Sequence, residues 1–252
     1  MLTIIFRSML VTSLRDRITL FYSLAFPLVI MIGLGLYFDE GEMPVRIVTG
    51  VTAISTIFWG MQGIAFQVHF QRNKGVYKLL RLTPMPTISF IIIMILARTF
   101  IGIMLNIMVW FIGMFFLQID FGFLTFAATL LLVVIGTLCF TSIGFFIANM
   151  ANNEGQINMF SNLLQIPMIF MSEAFYSLNS APDWVATVGK LFPFEYYVLG
   201  LRGIVNGDEN TLLLGVMVPI IYMFVALILS ALTFKWEGNN MRIGNKRGKI
   251  AS

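Results

Sequence analysis

The chain has 252 residues, of which 58% are hydrophobic and only 11% charged. A soluble domain carries about 25% charged residues, so this composition cannot clothe a water-facing surface and a bilayer is its natural solvent. The net charge of +4 would suit nucleic acid, but the placement of the charges along the chain excludes that partner.

The N-terminal stretch, MLTIIFRSMLVTSLRDR, holds Arg7, Arg15 and Arg17 and no short apolar core with a small-residue cleavage site, so the following segment reads as a retained span. Its position suits an interfacial helix, although its polar residues form no single face. A spanning helix needs about 20 apolar residues. The first such run is 20–38, with Pro27 inside; proline is tolerated where neighbours satisfy the freed carbonyl. An acidic loop with Asp39, Glu40 and Glu42 leads to the second span, 47–68.

Between His69 and Pro86 lies the densest internal cluster of positive charge. Read as a helix, Lys74, Lys78 and Arg81 share one face, with Val76, Leu79 and Leu80 opposite. Pro84 and Pro86 stop it. The segment is either a solvated loop obeying the positive-inside rule or a helix on which a soluble partner pushes. The next apolar run, 88–117, is too long for one perpendicular crossing and contains Arg98. A charge at mid-bilayer is costly, so the span is expected at 99–117, with 88–97 packed beneath it or along the surface. Arg98 then either snorkels to headgroups or pairs with Glu173. A tight connection at Asp120 makes a hairpin with the fourth span, 123–148, which carries the single cysteine, Cys139, as a packed apolar residue. One cysteine allows no intrachain disulfide.

After the polar break 149–156 comes the fifth span, 157–176. The segment 177–210 follows, in which Asn179 or Ser180 caps a short helix holding Pro182 and Asp183 in its first turn. Trp184, Val188 and Leu191 share a face, Pro193 ends the helix, and Trp184, Tyr196 and Tyr197 sit at headgroup level. An aromatic anchor alone also explains these residues. The sixth span is 211–234, and a basic tail occupies 235–252.

Twelve of the sixteen Lys and Arg fall in the N-terminus, the 69–86 segment and the tail. Eight of the twelve acids, Asp39, Glu40, Glu42, Asp120, Asp183, Glu195, Asp208 and Glu209, fall in the loops expected on the opposite side. Six spans with both termini cytoplasmic satisfy this asymmetry. The positive excess then faces anionic inner-leaflet lipid and needs no nucleic acid. The fold expected is an all-α integral membrane protein of one transmembrane domain.

Two spans carry polar stripes. In the second, Thr49, Thr52, Ser55, Thr56, Trp59 and Gln62 share a face; in the fifth, Asn158, Ser161, Asn162, Gln165 and Ser172 do. An amide in hydrocarbon needs a partner, so these faces are either helix–helix contacts or the wall of a translocation path. Enzyme motifs are absent: a lone His69 excludes HExxH, and there is no G-x-S-x-G elbow or phosphate loop. No catalytic residue, metal ligand or directly bound cofactor is expected, and any ATP hydrolysis belongs to another chain.

The run from Arg72 to Pro84, RNKGVYKLLRLTP, resembles the coupling segment of the ABC-2 type permeases, membrane subunits of ATP-binding-cassette exporters. Met171 to Tyr176, followed by Pro182, Trp184, Pro193 and Tyr196, resembles that family's outer motif. Asn73, Val76, Glu173 and Tyr176 depart from the usual residues at their positions. The resemblance implies a coupling role for Arg72, Lys74, Gly75, Tyr77, Lys78, Arg81 and Pro84. It implies a path along Thr52, Thr56, Trp59, Gln62, Asn158, Asn162 and Gln165, and an extracellular segment marked by Glu173, Pro182, Trp184, Pro193 and Tyr196. It further implies a second permease subunit, identical or homologous, and an ATPase subunit that holds ATP and Mg. By likeness the location is a bacterial inner membrane and the substrate a drug, peptide antibiotic or lipid-like molecule. A non-transporting membrane scaffold and an ATP-independent secondary transporter are the other classes; the latter is disfavoured by the lack of buried carboxylates in the spans and of an internal repeat.

Overall fold

The computed structural model describes residues 2–15, 17–38, 40–76, 86–178 and 181–234. All regular structure among them is helical. In chain order the helices are α1 (Leu2–Arg15), α2 (Arg17–Gly35), α3 (Met43–Asn73), α4 (Thr87–Phe116), α5 (Phe123–Met150), α6 (Glu154–Phe170), α7 (Asp183–Gly189), α8 (Pro193–Asn206) and α9 (Glu209–Thr233). Helix α3 changes pitch midway, where Phe58–Gly63 winds as a π-helix.

Four helices, α3, α4, α5 and α9, are long and apolar enough to cross a membrane. The other two segments read as spans are shorter. The apolar part of α2 is Ser23–Gly35, and α6 has 17 residues with a polar N-terminal half. Prolines sit inside α2, α6 and α9 (Pro27, Pro167 and Pro219) without ending them.

The bundle is assembled around α5, which packs against α3, α4, α6, α8 and α9. Its contact with α3 is close enough to demand glycine: a Cβ on Gly60 would lie 2.8 Å from Phe140 Cβ, and one on Gly144 would run into the Met61 carbonyl. Met61, Ile64, Phe90, Phe140, Phe145, Phe194 and Tyr197 fill the core with almost no exposure. The outward faces of α2, α4, α6 and α9 instead carry exposed side chains such as Phe26, Phe100, Phe111, Leu163, Phe224 and Leu232. That apolar belt suits hydrocarbon.

Several expectations are corrected. The 88–117 run is one unbroken helix of 30 residues, so 88–97 does not lie apart from the span. It keeps one core-facing side along its length, with Phe90, Ile91, Met94, Ala97, Ile101 and Val109 all buried. The second span continues to Asn73, where Gly75 at φ +73 ends it. A left-handed residue past the last turn is a common helix stop. Lys74 therefore terminates α3 instead of opening a helix with Lys78 and Arg81, which lie outside the described residues together with Tyr77 and Pro84. The tail 235–252 lies outside them too.

Pro193 does not end a helix but opens one. It is the first residue of α8, whose C-terminus is closed by Gly207 at φ +76. Helix α7 is preceded by Pro182 in extended geometry, with no side-chain cap; the caps read at Asn179 and Ser180 lie outside the described residues.

Candidate functional site

Polar side chains on an apolar helix usually find partners, and on the α3 stripe all but the Thr52 hydroxyl do so among the described residues. Thr56 Oγ1 bonds the Thr52 carbonyl at 2.8 Å and lies 3.1 Å from the Tyr197 hydroxyl. Ser55 Oγ donates to Asn106 Oδ1 at 2.8 Å. Trp59 Nε1 donates to the Arg98 carbonyl at 3.1 Å, and the Arg98 guanidinium stacks 3.5 Å above the Trp59 ring. Thr52, Thr56 and Trp59 are thus enclosed within the chain.

At Gln62 the stripe leaves the interior. Gln62 Nε2 donates to Asn158 Oδ1 at 2.8 Å, tying α3 to α6. Gln165 Nε2 reaches the Ile57 carbonyl at 3.3 Å, at the entrance to the π-helical turns. Widening the helix displaces carbonyls from their usual i+4 donors, and a side-chain amide from the neighbouring helix serves one of them. Asn158 and Asn162 are exposed on α6. The two stripes therefore meet along one seam, the α3 side mostly sealed and the α6 side open.

The pitch change coincides with large groups crowded on small ones. A Cβ at Gly102 would lie 2.5 Å from the Trp59 ring, and one at Gly63 would collide with the Arg98 guanidinium. On the α2 side of this region a cavity of about 400 Å³ opens between Phe26, Ile54, Phe58, Trp59, Gln62 and Arg98. A second, of about 580 Å³, adjoins it and is lined by Thr12, Ser13, Arg15, Gln67, Phe70, Arg98 and Glu154.

Arg98 and Glu173 are not partners. Arg98 lies against Trp59 and Gly63, whereas Glu173 Oε2 pairs with Arg202 Nη1 at 2.9 Å. Arg202 Nη2 also donates to the Glu173 carbonyl. Glu195, in the first turn of α8, accepts the Glu173 backbone N–H at 2.8 Å. Burial pushes the Glu195 carboxyl up to about 7, opposed by that hydrogen bond and by Arg202 and Lys190 and reinforced by the Glu173 carboxylate. Of the other outer residues, Pro193 is buried, Trp184 is exposed, and the Tyr196 hydroxyl donates to the Lys190 carbonyl at 3.0 Å. Tyr197 is not at headgroup level: it is fully buried against Gly136, Phe140 and Thr56.

On the opposite end, Arg72 points inward. Its guanidinium donates to the Ala148 carbonyl and to Asn149 Oδ1, each at 3.1 Å, closing the last turn of α5. A cation there also complements the helix dipole. Asn149 Nδ2 continues the link to the Ser230 carbonyl on α9 at 3.0 Å. Lys74 remains outside, its ammonium 4.1 Å over the Phe70 ring. The break between α5 and α6 is ordered by Asn153, whose side chain accepts from the Gln156 N–H at 2.9 Å.

Sequence reading overlooked Asn106 and the buried contacts of Tyr197 and Arg202. An amide in the middle of the apolar 88–117 run was itself a signal of a buried polar contact. Among the described residues no three His, Cys, Asp or Glu side chains gather into a metal-binding group. The sequence model of the family described as ABC-2 type transporter matches residues 1–206. No curated protein matches the chain.

Proposed function

The chain belongs to the ABC-2 type transporter family, and on that premise we propose that it is the permease subunit of an ATP-driven exporter of a hydrophobic or amphipathic substrate. The observation that carries this reading is the family match over residues 1–206. The Gln62–Asn158 seam, which brings two polar stripes to an open face of the bundle, supports the substrate class. In this reading Asn158 and Asn162 face a second permease subunit across the path. A separate ATPase subunit docks at Lys74 and the segment that follows, and both termini lie in the cytoplasm of a bacterial cell. The substrate is a drug, peptide antibiotic or lipid-like molecule.

Arg72 takes a different part from Lys74. Fixed between α3 and α5, it passes displacement of the coupling segment into the core helix instead of touching the ATPase. The test is co-purification with a separate ATPase subunit and ATP-dependent transport in liposomes. Exchanging Lys74, Lys78 and Arg81 for Glu is expected to abolish both while leaving membrane insertion intact. Unchanged pairing and transport in that variant, or full transport without any ATPase, would overturn the proposal.

A further inference from the structure

The two cavities beside the π-helical turns share Gly63, Phe66 and Arg98 and so form one two-chambered site. The upper chamber is an aromatic slot between α2 and α3, walled by Phe26, Phe58 and Phe66. The lower chamber, between α1, α3 and the start of α6, is the more polar of the two. Together they fall in the volume range of small-molecule sites. Their order along α3, apolar toward mid-helix and polar toward its end, follows the profile of a lipid leaflet.

The wall of the lower chamber also holds unmet hydrogen-bonding capacity just behind its surface. Ser13 is 5% exposed, and its Oγ has no hydrogen-bond partner among the described residues. Gln67 Oε1 is buried and equally without one. Leaving such atoms unmet is costly, because burial removes their water without replacing it. Water alone would serve them but has no affinity for the aromatic slot. The charges on the same wall are of both signs: Arg15 and Arg98 against Glu154.

We propose that this site holds one zwitterionic phospholipid with a primary-amine headgroup, of the phosphatidylethanolamine type. One acyl chain enters the slot beside Trp59. The phosphate accepts from Ser13 Oγ and meets the charge of Arg15. The ammonium donates to Gln67 Oε1 and pairs with Glu154. A choline headgroup has no N–H to give Gln67, and a glycerol headgroup brings no cation to Glu154, so the chemistry selects the amine.

The experiment uses the full chain in nanodiscs of phosphatidylcholine. Trp110, Trp184 and Trp236 are exchanged for Phe, leaving Trp59 as the fluorophore on the slot wall. Phospholipids with brominated acyl chains and ethanolamine, choline or glycerol headgroups are then added in turn. Half-maximal quenching is expected at about tenfold lower mole fraction for the ethanolamine lipid, the worth of one charge-assisted hydrogen bond. Gln67→Leu with Glu154→Gln brings that curve onto the choline one. Superimposable curves for the three lipids, or an ethanolamine preference unmoved by the double variant, overturn the proposal. Because Trp110 is a core residue, native mass spectrometry of the unmodified chain serves as a second measurement. A retained ethanolamine lipid that Glu154→Gln releases supports the site, and no retained lipid, or one unaffected by that exchange, overturns it. Neither assay contains an ATPase or a transport step, so failure here leaves the exporter reading standing.

Discussion

Glu173, Glu195 and Arg202 form a charged knot where the segment after α6 meets α8. Arg202 holds both the carboxylate and the carbonyl of Glu173, and Glu195 holds its N–H. Removing one member of a buried pair strands the other, which costs about 3–5 kcal/mol in full burial. Glu173 keeps a fifth of its side chain exposed, so Arg202→Ala is expected to cost roughly 3 kcal/mol, the lower end of that range, read by thermal unfolding in detergent. The same knot sets a pH dependence. Because burial raises Glu195 to about 7, the native state binds its proton more tightly than the unfolded chain, whose glutamate titrates near 4.3. Stability is therefore greatest below the unfolded value and falls as pH rises toward 7. Glu195→Gln should flatten the unfolding midpoint across pH 4.5 to 7; a slope identical to that of the native sequence would remove Glu195 as its source.

At the scale of elements, the α3–α5 contact depends on missing side chains. Gly144→Ala sets a methyl against the Met61 carbonyl, which belongs to backbone and cannot swing away. A loss of about 1–3 kcal/mol is expected. Gly33→Ala on the exposed side of α2, where nothing lies within 4 Å of the new carbon, should be neutral or gain up to about 1 kcal/mol from helix propensity. Parallel thermal melts separate the two; equal effects would deny that α3 and α5 interlock. These contacts also explain what sequence reading could and could not reach. Long apolar runs announce α3, α4, α5 and α9, since each carries its membrane signal within itself. Helix α8 had its marks as well, with Pro193 first, Glu195 in the opening turn, Phe194, Tyr197 and Leu201 on one face, and Gly207 at the end. Nothing local marks the π-helical turns. Their pitch is tied to Trp59, Arg98 and Gln165, residues brought together from three helices. Arg72 misleads for the same reason: in a run of basic residues it reads as surface charge, yet its partners lie 76 and 77 positions further along.

For the molecule as a whole, the distribution of charge and exposure bears on orientation. Lys74 and Glu209 are both exposed and lie at opposite ends of the helices they border. Cys139 is fully buried, so the native thiol is a silent background for labelling. A membrane-impermeant maleimide applied to intact cells is expected to modify Glu209→Cys and to reach Lys74→Cys only after permeabilisation. The reverse pattern would turn the protein over in the bilayer and detach the basic segment from any cytoplasmic ATPase. Helix α3 is largely enclosed by its neighbours, whereas α9 leaves most of its surface at the outside of the bundle.

The wide turns at Phe58–Gly63 bear on how torque travels along α3. A uniform rod would hand a twist applied at Asn73 straight to Met43. Here the rod is interrupted by a looser winding whose carbonyl at Ile57 is clasped by Gln165 from α6. In the proposed exporter, a twist entering at Asn73 would meet this looser winding and the Gln165 clasp before it reached Met43.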